Sequence, residues 1–244
     1  MSGKLSNRIA VVTGAAGGIG SDLVLALVKE GVFCVMLDKH AEPSAKLLEL
    51  LNQERGRYFS VDLTNIQEID ETVDKIYGEF GNIDFLYNVA GIGVYKKLEN
   101  ISVDEWNLSI NLNLTAPFYL TKRLLPLMQK SDMSLIFNIG SGMGVYPSPG
   151  RSAYCASKFG LRGLTLSLAK EYKNKKTKFQ LLTLGSVMTC FGTGGLEKRI
   201  DLQKNGKKYL TPESVAEKIV ELTLDRESPD EIEFCPAGYE EENK

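Results

Sequence analysis

Ile9-Ala10-Val11-Val12-Thr13-Gly14-Ala15-Ala16-Gly17-Gly18-Ile19-Gly20 decides the fold. An apolar run ends at Thr13, a glycine-rich turn follows, and helical spacing of Leu23, Ala26 and Leu27 begins just beyond Gly20. A strand, a tight turn and a helix in direct succession make a natural anion site. Glycine lets the backbone bend and come close to a ligand, and the N–H groups and dipole of the helix N-terminus favour negative charge. The spacing Gly-x-x-x-Gly-x-Gly is one residue longer than the commonest dinucleotide fingerprint. Gly14, Gly18, Ile19 and Gly20 are therefore candidate cofactor-binding residues, with a purely structural turn as the alternative.

The same alternation continues along the chain. Short runs at Ile9–Thr13, Phe33–Leu37, Tyr58–Val61, Phe85–Asn88, Leu135–Ile139, Phe179–Leu184 and Ile232–Cys235 predict strands, each bounded by Gly, Asp, Asn or charge. Amphipathic stretches predict helices over Gly18–Glu30, Glu42–Glu54, Ile66–Phe80, Val103–Gln129, Ser152–Lys173 and Pro212–Asp225, the last with Thr211 as N-cap. The pattern implies an α/β fold: a single doubly wound Rossmann-like domain over residues 1–244, with a mostly parallel seven-stranded sheet and helices on both faces. Ligands of such sheets bind at the carboxyl ends of the strands. Gly14, Asp38, Asp62, Asn88 to Gly91, Ser141 and Gly185 all fall at predicted strand ends.

Composition removes several alternatives. The net charge of −2 gives no electrostatic reason to expect nucleic acid or an anionic membrane as partner. Cys34, Cys155, Cys190 and Cys235 are far apart, and with His40 as the one histidine no usual zinc constellation can be assembled, so no metal is expected. Reduced thiols, the lack of a signal-peptide pattern and the lack of ~20 consecutive apolar residues lead to the expectation of a cytoplasmic protein with no membrane span. His40 and the lysines at 173, 175, 176 and 178 are expected to be solvated surface residues.

Asp38 ends the second strand, where a carboxylate can accept both hydroxyls of an adenosine ribose or can serve as a turn cap. It would repel a 2′-phosphate, and no Lys or Arg occurs among Ala15, Ala16 and Gly17. NAD is expected over NADP, with Lys39 as the residue able to overturn that preference. Asp62, with Leu63 beside it, is placed to accept from an adenine amine or to cap the helix starting near Asn65. Asn88-Val89-Ala90-Gly91 is a small-residue turn where backbone can pass close to a cofactor, although Asn88 could instead bond neighbouring strands.

Tyr154 and Lys158 stand one helical turn apart on one face, thirteen residues or more after Ser141. A phenol of pKa near ~10 is a poor base at neutral pH, and moving it to about 7 takes roughly 4 kcal/mol. One cation about 4 Å away supplies about that much at an effective dielectric near 20. Lys158 is thus expected to tune Tyr154 for proton exchange with an alcohol or carbonyl.

These features resemble the short-chain dehydrogenase/reductase family, small single-domain type, over nearly the whole length. The carrying residues are Thr13 to Gly20, Asn88-x-Ala-Gly91, Leu112-Asn113-Leu114, Ser141, Tyr154-x-x-x-Lys158 and Gly185 to Thr189. The resemblance implies a catalytic set of Asn113, Ser141, Tyr154 and Lys158, with Asn111 as a competing asparagine. It also implies cofactor contacts by Tyr154, Lys158, Gly185, the backbone of Val187, and Thr189. The implied activity is NAD-dependent interconversion of a secondary alcohol and a ketone. An NADPH-dependent carbonyl or 3-oxoacyl reductase is the alternative, and a non-catalytic NAD-sensing scaffold is the alternative of another class. Val89 stands where the family has a second asparagine, Leu184 where it has proline, and the C-terminal Asp-Gly-Gly ending of carrier-protein reductases is lacking. The substrate wall is expected from Ile92 to Tyr95, Gly142 to Tyr146 and Cys190 to Tyr209, with 189–211 as a lid and a partly hydrophobic substrate. Arg151 is expected in solvent, with a substrate carboxylate as its other possible partner. The segments Val103–Gln129 and Ser152–Lys173 resemble subunit-contact helices of a homodimer or homotetramer.

Overall fold

Each short apolar run becomes a strand. The computed structural model describes residues 3–192 and 194–239. In chain order the elements are β1 (Ile9–Thr13), α1 (Gly18–Lys29), β2 (Phe33–Asp38), α2 (Ala45–Asn52), β3 (Gly56–Ser60), α3 (Ile66–Glu79), β4 (Phe85–Asn88), α4 (Val103–Ile110), α5 (Ala116–Met128), β5 (Ser134–Ile139), α6 (Ser152–Glu171), β6 (Thr177–Leu184), α7 (Gly195–Lys204), α8 (Pro212–Leu224) and β7 (Glu231–Phe234). One seven-stranded sheet has the order β3-β2-β1-β4-β5-β6-β7, and every pairing is parallel.

Alternation along β1 explains why its sequence reads as continuously apolar. Ala10 and Val12 pack on one face with Leu23, Leu27, Val215 and Ile219 of α1 and α8. Val11 points to the other face, among Ile69, Val73, Leu120 and Leu124 of α3 and α5. The strand order reverses between β1 and β4, and the crevice above that pair is where a parallel doubly wound sheet accepts ligands.

Local chemistry sets several boundaries. The Thr211 hydroxyl accepts from the Ser214 amide with Pro212 in the first turn of α8, as the sequence predicts. Asn65 caps α3 by accepting from the Gln67 amide. The helix expected over Val103–Gln129 is two helices, separated by a π-turn at Asn111–Thr115. Pro117 has no N–H to give the Asn113 carbonyl, so one ordinary helical bond is missing at this point. The expected lid carries a helix of its own, α7, entered through Gly194 at φ 92°. Among the described residues no helix is long and apolar enough to cross a membrane, and no group of His, Cys, Asp and Glu could hold a metal.

Candidate active site

A cavity of about 610 Å³ runs along the carboxyl edge of the sheet, from the β1–α1 turn to Tyr154. Its floor at one end is the glycine turn. Gly14 has φ +65°, and a Cβ there would lie 2.8 Å from Ala90 Cα; a Cβ on Gly20 would lie 2.0 Å from the Gly14 carbonyl oxygen. Gly18 lies under Thr189, whose Cγ2 would be 3.0 Å from an added Cβ. No side chain caps the N-terminus of α1, and no acidic residue occupies its first turn, so the dipole end faces the cavity uncompensated. These residues fit a dinucleotide pyrophosphate. Thr13 ties the two sides of the crevice together, its hydroxyl accepting from the amides of Val89 and Ala90 at 3.0 and 3.1 Å.

Asp38 is buried behind this turn. Its Oδ2 accepts from the Ala16 amide at 2.9 Å, and its Oδ1 meets both the His40 amide and His40 Nδ1, the latter at 2.6 Å. His40 is exposed as expected, but it also lines the cavity and pairs with Asp38, a role its isolation in the sequence does not reveal. Asp62 and Leu63 line the same end. The Asp62 carboxylate accepts from the Thr64 amide and hydroxyl, which fixes the turn, while Asn65 does the capping.

The Asn88 side chain takes the second of its two readings. Its Nδ2 donates to Asn138 Oδ1 at 2.7 Å inside the sheet, and Val89, Ala90 and Gly91 line the cavity. The packing reason is that the β4 side chain at this position faces β5, and Asn138 hands the bond on to Thr165. Asn113, at 0% exposure in the π-turn, exchanges two hydrogen bonds with the backbone of Ile92 and donates to Ser157 Oγ. It thereby holds the segment after Gly91, and an added Cβ on Gly91 would lie 3.1 Å from Asn113 Oδ1 and 3.8 Å from Lys158 Nζ. Asn111 has no such bonds among the described residues.

Ser141 follows β5, and Tyr154 and Lys158 lie on the buried face of α6. The Tyr154 hydroxyl lies close enough to Ser141 for the serine to favour its ionisation. Lys158 Nζ donates to the Ile139 carbonyl at 2.8 Å and stands 5.9 Å from the Tyr154 ring centre. Burial pushes the phenol up, with a smaller push from Tyr95, against a downward pull from Ser141. Burial likewise brings Lys158 down to about 8. The expected lowering of the phenol by the ammonium is thus outweighed by desolvation in this geometry: the same dry surroundings penalise both charges, and Nζ is engaged with Ile139. Gly185, Val187 and Thr189 line the cavity above β6; Val187 bridges to Leu210, and the Thr189 hydroxyl accepts from the Phe191 amide.

Beyond Tyr154 the wall is aromatic. Tyr95 meets the Tyr154 ring edge-on at 5.5 Å, and Phe191 stands 5.8 Å from it on another side. Arg151 lies over the Tyr95 ring at 4.9 Å and donates to Met143 Sδ, so it is part of the wall and not a solvated residue. Tyr239 and Arg199 also line this end. Arg199 falls within the expected wall segment Cys190 to Tyr209, whereas sequence reasoning passes over Tyr239, which arrives from beyond β7. The glycine at 142 is a signal for Tyr239, since a Cβ there would lie 2.4 Å from the Tyr239 hydroxyl.

Residues 8–198 match the family model described as short chain dehydrogenase. The chain belongs to the short-chain dehydrogenases. It is 31% identical over 234 residues to a 3-oxoacyl-(acyl-carrier-protein) reductase of Thermotoga maritima, covering 92% of this chain and 94% of that one. It is 30% identical to a D-threitol dehydrogenase of Mycolicibacterium smegmatis, over 78% of this chain and 74% of the other. A solved metagenomic short-chain oxidoreductase in complex with NADP superimposes with a TM-score of 0.80 at 28% identity, covering 96% of this chain and 99% of that one. This short-chain dehydrogenase is accordingly an oxidoreductase that uses a nicotinamide dinucleotide and acts on CH–OH or C=O groups of small molecules.

Proposed function

We propose that the protein interconverts a secondary alcohol and a ketone with NAD, and that Tyr154 carries the proton. The observation behind this is one continuous cavity with a glycine turn at one end and, at the other, Ser141 beside a buried tyrosine one turn from a buried lysine. The bound nicotinamide supplies hydride transfer. The Ser141 hydroxyl holds the substrate oxygen beside the phenol. Tyr154 takes the alcohol proton in oxidation and returns it in reduction. Lys158 offers positive charge next to the phenolate that forms, and Asn113 fixes the Ile92 backbone on the opposite wall.

Asp38 supports NAD, because its carboxylate sits at the end of β2 against the glycine turn, where a 2′-phosphate would be repelled. The NADPH reading has support of its own: Lys39 and His40 flank Asp38 on the cavity, and His40 already pairs with it. Titrating the protein with NAD and NADP separately, each followed by a substrate screen at the absorbance of the reduced nicotinamide, separates the two. NAD binding at least about tenfold tighter is expected. Binding without turnover of any alcohol or ketone would favour a cofactor-sensing scaffold.

The segment 189–211 serves as the lid, since Gly192, Gly194 and Gly195 all have positive φ and surround the start of α7. Trp106, Phe118 and Phe159 on α4, α5 and α6 are each more than a third exposed, which supports a homodimer or homotetramer to be checked by sedimentation. A cytoplasmic location is in keeping with four free cysteines.

A further inference from the structure

The substrate end of the cavity has a charge that the proposed reaction does not require. Its lining includes Arg151, Lys198, Arg199 and Lys207, while the acidic lining residues, Asp38 and Asp62, are both at the glycine-turn end. Arg151 and Arg199 are half-buried. Their contacts among the described residues are a thioether, two aromatic rings and a carbonyl: Met143 Sδ and Tyr95 for Arg151, Phe191 O and Tyr209 for Arg199. Neither has a carboxylate partner there. Arg151 lies over Tyr95, and both guanidiniums draw its hydroxyl toward ionisation against the larger effect of burial. Tyr95 in turn abuts Tyr154. A guanidinium has five N–H donors, so each of these keeps donors to spare beyond the one bond it makes.

We propose that Arg151 and Arg199 form a carboxylate subsite, so that the substrate is a short hydroxy or oxo acid. Its reacting carbon sits at Tyr154, and its carboxylate, two to a few carbons away, lies against Tyr95 between the two guanidiniums. Tyr95, Phe191 and Met143 cover the apolar carbons between. The subsite rests on the alcohol–ketone reading of the same cavity and narrows its substrate class. Arg151 is the N-cap residue of α6 and Arg199 comes from α7, so the anion also ties the lid to the body of the protein. A planar carboxylate suits this arrangement better than an ammonium or a neutral tail, because two guanidiniums line this end of the cavity and its acidic lining residues lie at the other.

The test pairs straight-chain 3-hydroxy acids of four to six carbons with their methyl amides. The acid-to-amide ratio of kcat/KM is expected to exceed about tenfold in the wild type and to fall by about tenfold in Arg151→Met and Arg199→Met, with partial return in Arg151→Lys. Calorimetry of the corresponding oxo acids with the protein supplies a second readout: binding that weakens as salt rises and as either arginine is removed. Equal kcat/KM for acids and amides in an active enzyme overturns the carboxylate subsite and leaves the alcohol–ketone reading standing. Arginine-dependent oxo-acid binding without turnover of any acid or amide does the reverse. Tighter binding of the matching phosphomonoester than of the oxo acid also overturns the subsite.

Discussion

The two ends of the cavity are built by different means. The β1–α1 end is made mostly of backbone: glycines in close approach, amides at the head of α1, and two carboxylates, Asp62 and an Asp38 pinned by the Ala16 amide. The far end is made of side chains delivered from separate places: Tyr95 after β4, Tyr154 and Arg151 from α6, Phe191 and Arg199 from the segment after β6, Tyr239 from beyond β7. The first end is acidic and shaped by what is absent from the residues. The second is cationic and aromatic and shaped by what they carry. Such a division lets one scaffold keep its cofactor while its substrate changes, since the far wall can vary without disturbing the turn.

Replacing Tyr154 by Phe tests the far end most severely. The expected fall in kcat is at least about a hundredfold, with NAD affinity changed by less than about threefold, read by steady-state kinetics beside cofactor titration. Unchanged turnover would remove Tyr154 from the chemistry. Gly20→Ala attacks the near end, where the new Cβ would meet the Gly14 carbonyl at 2.0 Å. The expected loss is about 2–3 kcal/mol of stability, with NAD affinity falling alongside, measured by urea unfolding and calorimetry.

These ends were not equally legible. Glycine spacing, strand alternation and the Tyr154–Lys158 register are local, so residues near in sequence announce the fold, the turn and the buried face of α6. Five strands have boundaries that differ by a residue or two, which is ordinary fraying. The break at Asn111–Thr115 was hidden because its cause, the missing N–H of Pro117, acts inside a periodic apolar pattern. The two readings of Asn88 stay open in the sequence because it cannot say which neighbouring strand a side chain faces; its partner Asn138 lies fifty residues on. Arg151, Arg199 and Tyr239 meet only through long-range packing. The tuning of Tyr154 was reasoned from one Coulomb pair, while burial, a property of the whole fold, dominates both groups.

Asp38→Ala sharpens the electrostatic side of the contrast. The NAD-to-NADP affinity ratio should drop by about tenfold, since a repelling carboxylate and a ribose acceptor leave together while Lys39 and His40 remain. An unchanged ratio would mean that Asp38 serves the Ala16–His40 turn alone. The smallest effect concerns the buried lysine between the two ends. Its pKa is near 8 folded against 10.5 ordinarily, so between those values the unfolded chain binds the extra proton and stability rises with pH. Lys158→Met should abolish that rise and stabilise the protein at pH 7 by about 1 kcal/mol, after the lost bond to Ile139 is set against the relieved desolvation, while activity is lost. Parallel urea midpoints for the two proteins from pH 7.5 to 10 check it; a constant difference would place the charge in water.

The wide turn at Asn111–Thr115 makes helical phase a property of the site. One extra residue is accommodated there, so deleting a single position would let α4 and α5 fuse into ordinary winding and swing Asn113 by about 100° away from Ile92. Length, as much as side-chain identity, is therefore what this segment must preserve.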